Sequence, residues 1–344
     1  MDGAQTADSI AALVAEFLAG AEHNLALALY DMRLAGQAEE TVLAAINGAA
    51  DRGVQVRLIF NVDHAKPVAV PPPPAVDWDL VKRMKVRRRA INGVPDLMHH
   101  KYVIRDSGSP AAAVLTGSTN WTNDSWTREE NVIVRFDSPE LAGAYQHDFE
   151  ELWTTRSVAS SGHFTSPWMS LPGGYRIRPF FTPGRGQRLV HELARSIGSA
   201  RNRLRLCSPV ITAGPVLGTL AEAVQRPGLN VAGVYDATQM GEVQFQWGRD
   251  PGTAWKLDAF RAIAGSGHFG GKTSTPYQKG SVHDFMHAKL LVADDFTYVG
   301  SYNLSHSGEE NAENVVQVQG AAFADLCAAF VDRVAARYPP PARA

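Results

Sequence analysis

Leu25, Leu27 and Leu29 alternate with smaller residues, the period-two pattern of a strand. Helical spacing follows over about residues 38–51, Gly53 closes it, and 54–60 reads as a second strand. The same order returns later, with a strand at 204–208, a helix near 216–225, Pro227-Gly228, and a strand at 229–235. Each half closes on a helix. Ser138-Pro139 reads as an N-cap and first turn leading to Trp153, and residues 321–337 are its counterpart. Strand–helix–strand order predicts an α/β sandwich with a mixed sheet in each half. The division expected is a first unit over 1–155, a Ser/Pro/Gly-rich linker at 156–175 and a second unit over 176–344.

The repetition extends to chemistry-bearing residues. Residues 98–106 read MHHKYVIRD and residues 286–294 read MHAKLLVAD, so His99, Lys101 and Asp106 are answered by His287, Lys289 and Asp294. Gly117-Ser118-Thr119-Asn120 is answered by Gly300-Ser301-Tyr302-Asn303, and Glu130-Asn131 by Glu313-Asn314. Thirteen residues separate Gly from Glu in both copies. From His to Gly the counts are 18 and 13, and the excess falls in a Ser/Gly/Pro/Ala stretch at 107–113, where length change is tolerated. Two further variable stretches precede the histidine motifs: a proline run at 71–74 with a basic stretch after it, and residues 241–284. Their matched positions predict that they flank one shared cleft.

Residues 98–104 and 286–292 are apolar enough for strands, which would stand each His beside its Lys on one face. An imidazole beside an ammonium suits a phosphate, one reacting and the other neutralising oxygens. Asp106 and Asp294 lie seven residues on, an odd offset, and read as orienting or fold-supporting members of the set. Gly in each Gly-Ser-x-Asn permits a tight turn that offers a hydroxyl and an amide at one spot. Glu130 and Glu313 can hold an imidazole N–H and fix its tautomer. One half supplies one imidazole. A double displacement on a phosphodiester uses two, a neutral nucleophile and a protonated acid, so the halves are expected to pack face to face.

Two motifs in register, each with its Gly-Ser-x-Asn and Glu-Asn, resemble the phospholipase D superfamily over about 25–155 and 190–335. The resemblance implies two similar α/β sandwich repeats, mixed β-sheets flanked by helices, related by a pseudo-twofold axis. It also implies a metal-independent phosphodiesterase with a phosphohistidine intermediate and no cofactor. Under it His99 attacks, His287 is the general acid, Lys101, Lys289, Asn120 and Asn303 bind phosphate, and Ser118 and Ser301 assist. Glu130 and Glu313 would orient the histidines. A phospholipid headgroup is the expected substrate; DNA or RNA is the alternative, and an inactive phosphate-binding module is the lesser one. A membrane-anchored phosphatidyl transferase and the tyrosyl-DNA phosphodiesterase branch fit less well. The first usually carries N-terminal membrane helices, and the second lacks the Asp found here in both motifs.

Composition adjusts this reading only at the edges. Hydrophobic residues make up 45% and charged residues 20%, enough apolar material for two cores. With 33 basic and 35 acidic residues, the net charge of −2 argues against a surface wholly given to a polyanion. A local patch stays open: Lys82, Arg83, Lys85, Arg87, Arg88 and Arg89 can meet nucleic acid, an anionic membrane or only solvent. Two cysteines, Cys207 and Cys327, exclude a disulfide framework and suit a reducing compartment. The acidic start, with no leader or spanning run, predicts a cytoplasmic protein needing no obligate protein partner. His100 should point away from His99. His283 stands four before His287, but without an acidic ligand set it reads as a substrate-rim residue rather than a metal ligand. His306 fits a helix start or the site. Trp78, Trp121, Trp126, Trp247 and Trp255 fit core, base stacking or a bilayer surface equally.

Overall fold

A computed structural model describes residues 5–62, 76–93, 95–278 and 280–341; the proline run at 71–74 lies outside them. Two sheets dominate. In the first, strands Arg87–Asn92, Gln55–Val62, Asn24–Leu29, Lys101–Arg105, Ala113–Gly117 and Ile133–Asp137 lie side by side in that order. In the second, Phe269–Lys272, Asn230–Asp236, Arg203–Ser208, Leu290–Ala293, Phe296–Gly300 and Asn314–Gln319 repeat the order. Tyr175–Phe181 and Met169–Leu171 extend this second sheet, so part of the expected linker is strand. In both sheets the first strand pairs parallel with the next and antiparallel with the strand of the histidine motif.

Burial on both faces explains the first strand. Leu25, Leu27 and Leu29 face an outer core with Leu18, Val42 and Ile46, while Ala26 and Ala28 face a central core. Small residues there leave room for Tyr102, Tyr145, Phe149, Ile177, Phe181 and Val316, drawn from both halves. The helices Pro139–Thr155 and Ala321–Arg337 pack into the same core, and Ser138 caps the first by accepting from Leu141 N–H.

The seam carries the observation that matters for chemistry. Met98 bridges Ala312, and Glu130 bridges Met286, both parallel. His99 N–H donates to Ala312 O (2.9 Å) and His287 N–H to Glu130 O (3.1 Å). Contacts that are reciprocal in this way are the signature of a twofold relation between two copies.

The motif strands start later than their apolar pattern predicts. Regular pairing begins at Lys101 and Leu290, so His99, His287 and Lys289 precede the ladder, at the seam. Residues 241–284 are not a loose insertion either. They hold most of helix Ala237–Trp247, all of Ala254–Ala264, and the strand Phe269–Lys272 that answers Arg87–Asn92.

Candidate active site

Four buried charged groups and two imidazoles meet at the seam: Lys101, Lys289, Glu129, Glu313, His99 and His287. His99 Nδ1 lies 2.8 Å from Glu313 Oε1, a carboxylate of the other half. When Glu313 is ionised that oxygen only accepts, so Nδ1 then carries the hydrogen and Nε2 keeps its lone pair. Burial pushes both imidazoles well below their ordinary range, and the two lysines push the same way. The charge of His99 also bears on His287, so the two rings share one field.

Each lysine folds back on its own motif. Lys101 Nζ donates to His99 O (2.7 Å) and Lys289 Nζ to His287 O (2.6 Å), which leaves N–H groups for a ligand. Burial lowers Lys101 to about 7, and it holds Lys289 well below the ordinary lysine range, with the Lys101 charge adding to the effect. Glu313 and Glu129 rise to about 7 for the same reason, with the lysines pulling back. Asn120 and Asn303 have buried Oδ1 atoms without a partner, and neither amide makes a side-chain hydrogen bond among the described residues. Convergent ammonium and amide donors around neutral imidazoles make a receptor for a phosphodiester anion.

Two groups of expected residues are corrected and a third is narrowed. First, Glu130 does not orient His287. The shared count of thirteen residues misaligns the copies by one, because the first half has one more residue between its Gly and the returning strand. Gly117 pairs with Ile133, but Gly300 with Val315. In space Asn131 takes the place of Glu313: His287 Nδ1 lies 3.1 Å from Asn131 Oδ1. Asn131 Nδ2 donates to Glu129 Oε2 (2.8 Å), itself 3.3 Å from His287 Nδ1. Glu130 turns away to Arg337 (3.0 Å) and Tyr338 (2.9 Å). The sequence signal was the doublet Glu129-Glu130, which makes that count ambiguous by one.

Second, of the two roles expected of Asp106 and Asp294, orienting and fold-supporting, they take the fold-supporting one, standing at the far strand ends about 20 Å of extended chain from their histidines. Asp106 accepts from the N–H groups of Glu22, His23 and Asn24 at 2.7–3.1 Å, and Asp294 from those of Arg201, Asn202 and Arg203 at 2.8–3.0 Å. They fasten turns and touch no part of the site. Third, Ser118 and Ser301 are fully buried and already engaged. Ser118 Oγ donates to Asn131 Oδ1 (2.6 Å), and Ser301 Oγ accepts from Asn314 N (3.0 Å) and Nδ2 (3.2 Å). Their hydroxyls are spent on the framework behind the histidines.

His100 is buried between Asp148 (3.1 Å) and Asn314 (3.2 Å). His283 is buried beside Tyr277 and Phe285, and His306 is exposed on a short helix. Among the described residues no three side chains are grouped to hold a metal ion. Half of the basic run is paired: Lys82 with Asp79, Arg83 with Glu39 and Glu40, and Lys85 with Asp51. Arg88 bonds Val81 O and Arg89 covers Trp153, contacts that leave their charge uncancelled, and Arg87 is exposed. Trp121, Trp126 and Trp247 are buried, whereas Trp78 and Trp255 are each 48% exposed. Among the described residues no helix is long and apolar enough to cross a membrane.

Comparison with known proteins agrees with this geometry. The family model described as "Cardiolipin synthase, PLD-like domain" matches residues 14–153 and 193–334, one match per half. Mitochondrial cardiolipin hydrolase of Xenopus tropicalis is 33% identical over 114 residues, which is 33% of this chain and 49% of that protein. That of Chlamydomonas reinhardtii is 33% identical over 104 residues, 30% of this chain and 41% of that protein. The chain thus spans about half or less of the curated relatives it matches. Phosphatidylserine synthase of Haemophilus influenzae Rd KW20 has a similar fold, with a TM-score of 0.63 at 12% identity over 96% of this chain and 83% of that one.

Proposed function

Since the chain belongs to the phospholipase D superfamily, we propose that it hydrolyses a phospholipid diester in two displacements at phosphorus, His99 attacking and His287 serving the leaving oxygen. The observation that carries this reading is the crossed pairing of His99 with Glu313 and His287 with Asn131–Glu129. Glu313 holds the Nδ1 hydrogen of His99, so Nε2 attacks phosphorus as the bond to the leaving alkoxide breaks. His287, protonated, gives its Nε2 proton to that alkoxide. Water then attacks the phosphorylated imidazole, His287 takes the water's proton, and the P–N bond breaks to free His99. Lys101, Lys289, Asn120 and Asn303 would hold the nonbridging oxygens throughout.

Glu313 is a carboxyl group at bonding distance, and in its ionised form it supports the imidazolium-like charge that a nucleophilic His99 develops. His287 meets an amide first and a carboxylate behind it, a milder field that suits a group required to release its proton. The lipid reading draws on the named activity of the relatives and on Trp78 and Trp255.

The decisive assay sets cardiolipin and phosphatidylcholine vesicles beside single-stranded DNA, RNA and bis(p-nitrophenyl) phosphate, with and without EDTA. Lipid turnover that survives the chelator is expected. Cleaved nucleic acid with inert vesicles would reverse the substrate assignment. His99→Ala and His287→Ala should each abolish turnover, and a His287 variant given a good leaving group should accumulate phosphorylated His99.

A further inference from the structure

The floor of the site is duplicated, but its flanks are not. The strands Asn24–Leu29 and Arg203–Ser208 correspond, and Met32 and Ile211 make equivalent bridges, to Trp121 and Leu304. Tyr30, Asp31 and Arg33 therefore answer Pro209, Val210 and Thr212. One flank carries a phenol, a carboxylate and a guanidinium; the other carries none of these.

Asp31 is buried, and both its oxygens are spent on Arg33: Oδ1 accepts from Nε and Oδ2 from Nη2, each at 2.8 Å. This fork-to-fork contact fixes the plane of the guanidinium and leaves Nη1 without a hydrogen bond among the described residues. The Arg33 side chain is 35% exposed against 1% for its partner, so the pair runs from the interior to the surface. Its place is fixed from two sides. Trp121 N–H donates to Asp31 O (3.0 Å), which seats Asp31 beside Asn120. The ring of Tyr30, next in sequence, stands edge-on to His99 at 4.6 Å and beneath Lys101 Nζ at 4.9 Å. The charges of Arg33 and Asp31 also reach the buried His283.

We propose that Arg33, clamped by Asp31, is an anion subsite on the His99 flank that takes a second anionic group of a lipid headgroup, a carboxylate or a further phosphate. The substrate is then held in one direction across an otherwise twofold floor. This deepens the phosphodiesterase reading and rests on it for the position of the scissile phosphate. A surface ion pair of purely structural value would add stability without discriminating between ligands.

Calorimetric titration of the full chain tests it without requiring turnover. Glycerol 1,3-bisphosphate should bind about tenfold more tightly than glycerol 1-phosphate, the scale of one added charge-assisted contact. Arg33→Gln should erase that advantage, and Arg33→Lys, which keeps the charge but loses the fork, should keep a fraction of it. Thermal melting verifies that each variant is folded; should Arg33→Gln unfold, Arg33→Lys alone decides. Equal affinity of the two ligands for the unmodified chain overturns the subsite, as does an advantage untouched by substitution. A preference confined to thymidine 3′,5′-bisphosphate over thymidine 5′-monophosphate overturns the lipid assignment. Bis(p-nitrophenyl) phosphate turnover on the same samples reports the phosphodiesterase reading separately, so selective binding without turnover would sink that reading alone.

Discussion

At the scale of single residues, the site is poised by burial. Lys101, lowered to about 7, shows how far an ammonium is disfavoured there. The sign of the consequence follows from the two states. Unfolded, the lysine titrates near 10.5; folded, near 7. The cost of its charge is therefore complete below pH 7 and lifts as pH rises towards 10.5. Lys101→Met should accordingly stabilise the ligand-free fold by about 1–4 kcal/mol at pH 7 while destroying turnover, with the gap shrinking in melts at pH 9. His287 has a different requirement, since an acid must hold its proton and burial opposes this. The alkaline limb of kcat/KM reports that proton. Glu129→Gln removes the nearest negative charge, so the limb should move to lower pH by about one unit and the rate at neutral pH should fall about tenfold. Glu129→Gln combined with Asn131→Asp rebuilds the arrangement seen at His99 and should carry the limb back up. An unmoved profile in both would leave Glu129 with a packing role only.

Elements decide how far such residues can be anticipated. The strands and helices were legible because their patterns are strong: Leu25, Leu27 and Leu29 alternate, Ser138-Pro139 caps and starts a helix, and both recur as expected. Which carboxylate meets His287 was not legible. It depends on one extra residue in the turn between Gly117 and Ile133, a backbone excursion with no hydrophobic signature. The pairing of Arg83 and Lys85 was hidden for a related reason, as their partners Glu39, Glu40 and Asp51 belong to helix Gly36–Asp51, distant in sequence. Asp106 shows how an element end is secured. It adopts φ +53° and gathers three backbone N–H groups, which binds the end of Lys101–Arg105 to the start of Asn24–Leu29. Asp106→Ala loses these acceptors in a left-handed conformation and should cost about 2–3 kcal/mol in denaturant titrations. Asp106→Gly, which tolerates that φ, should cost less. Turnover per folded molecule should stay within about twofold in both variants, because the strand's length separates Asp106 from the chemistry.

For the molecule as a whole, the seam is core as well as active site. Asn314 Oδ1 accepts from Thr116 (2.7 Å) and Tyr145 (3.0 Å), and its Nδ2 meets His100 (3.2 Å), so one buried amide joins the halves behind the histidines. Neither half retains the carboxylate or amide that its own imidazole uses. Residues 1–155 and 176–344 produced as separate polypeptides should each be inactive towards bis(p-nitrophenyl) phosphate, and each should bind a dye for exposed apolar surface. Activity in either fragment alone would contradict the crossed assignment. Mixing the two should recover turnover to the extent that the seam reassembles.

The offset that sets Asn131 opposite His287 and Glu313 opposite His99 has a bearing on ancestry. Two identical subunits built from one gene would receive every substitution twice, so any change favouring attack at one imidazole would equally disturb proton delivery at the other. Joining the copies end to end removes that tie. A lone amide-for-carboxylate exchange, flanked by Glu129, is a division of labour that only a fused pair can inherit.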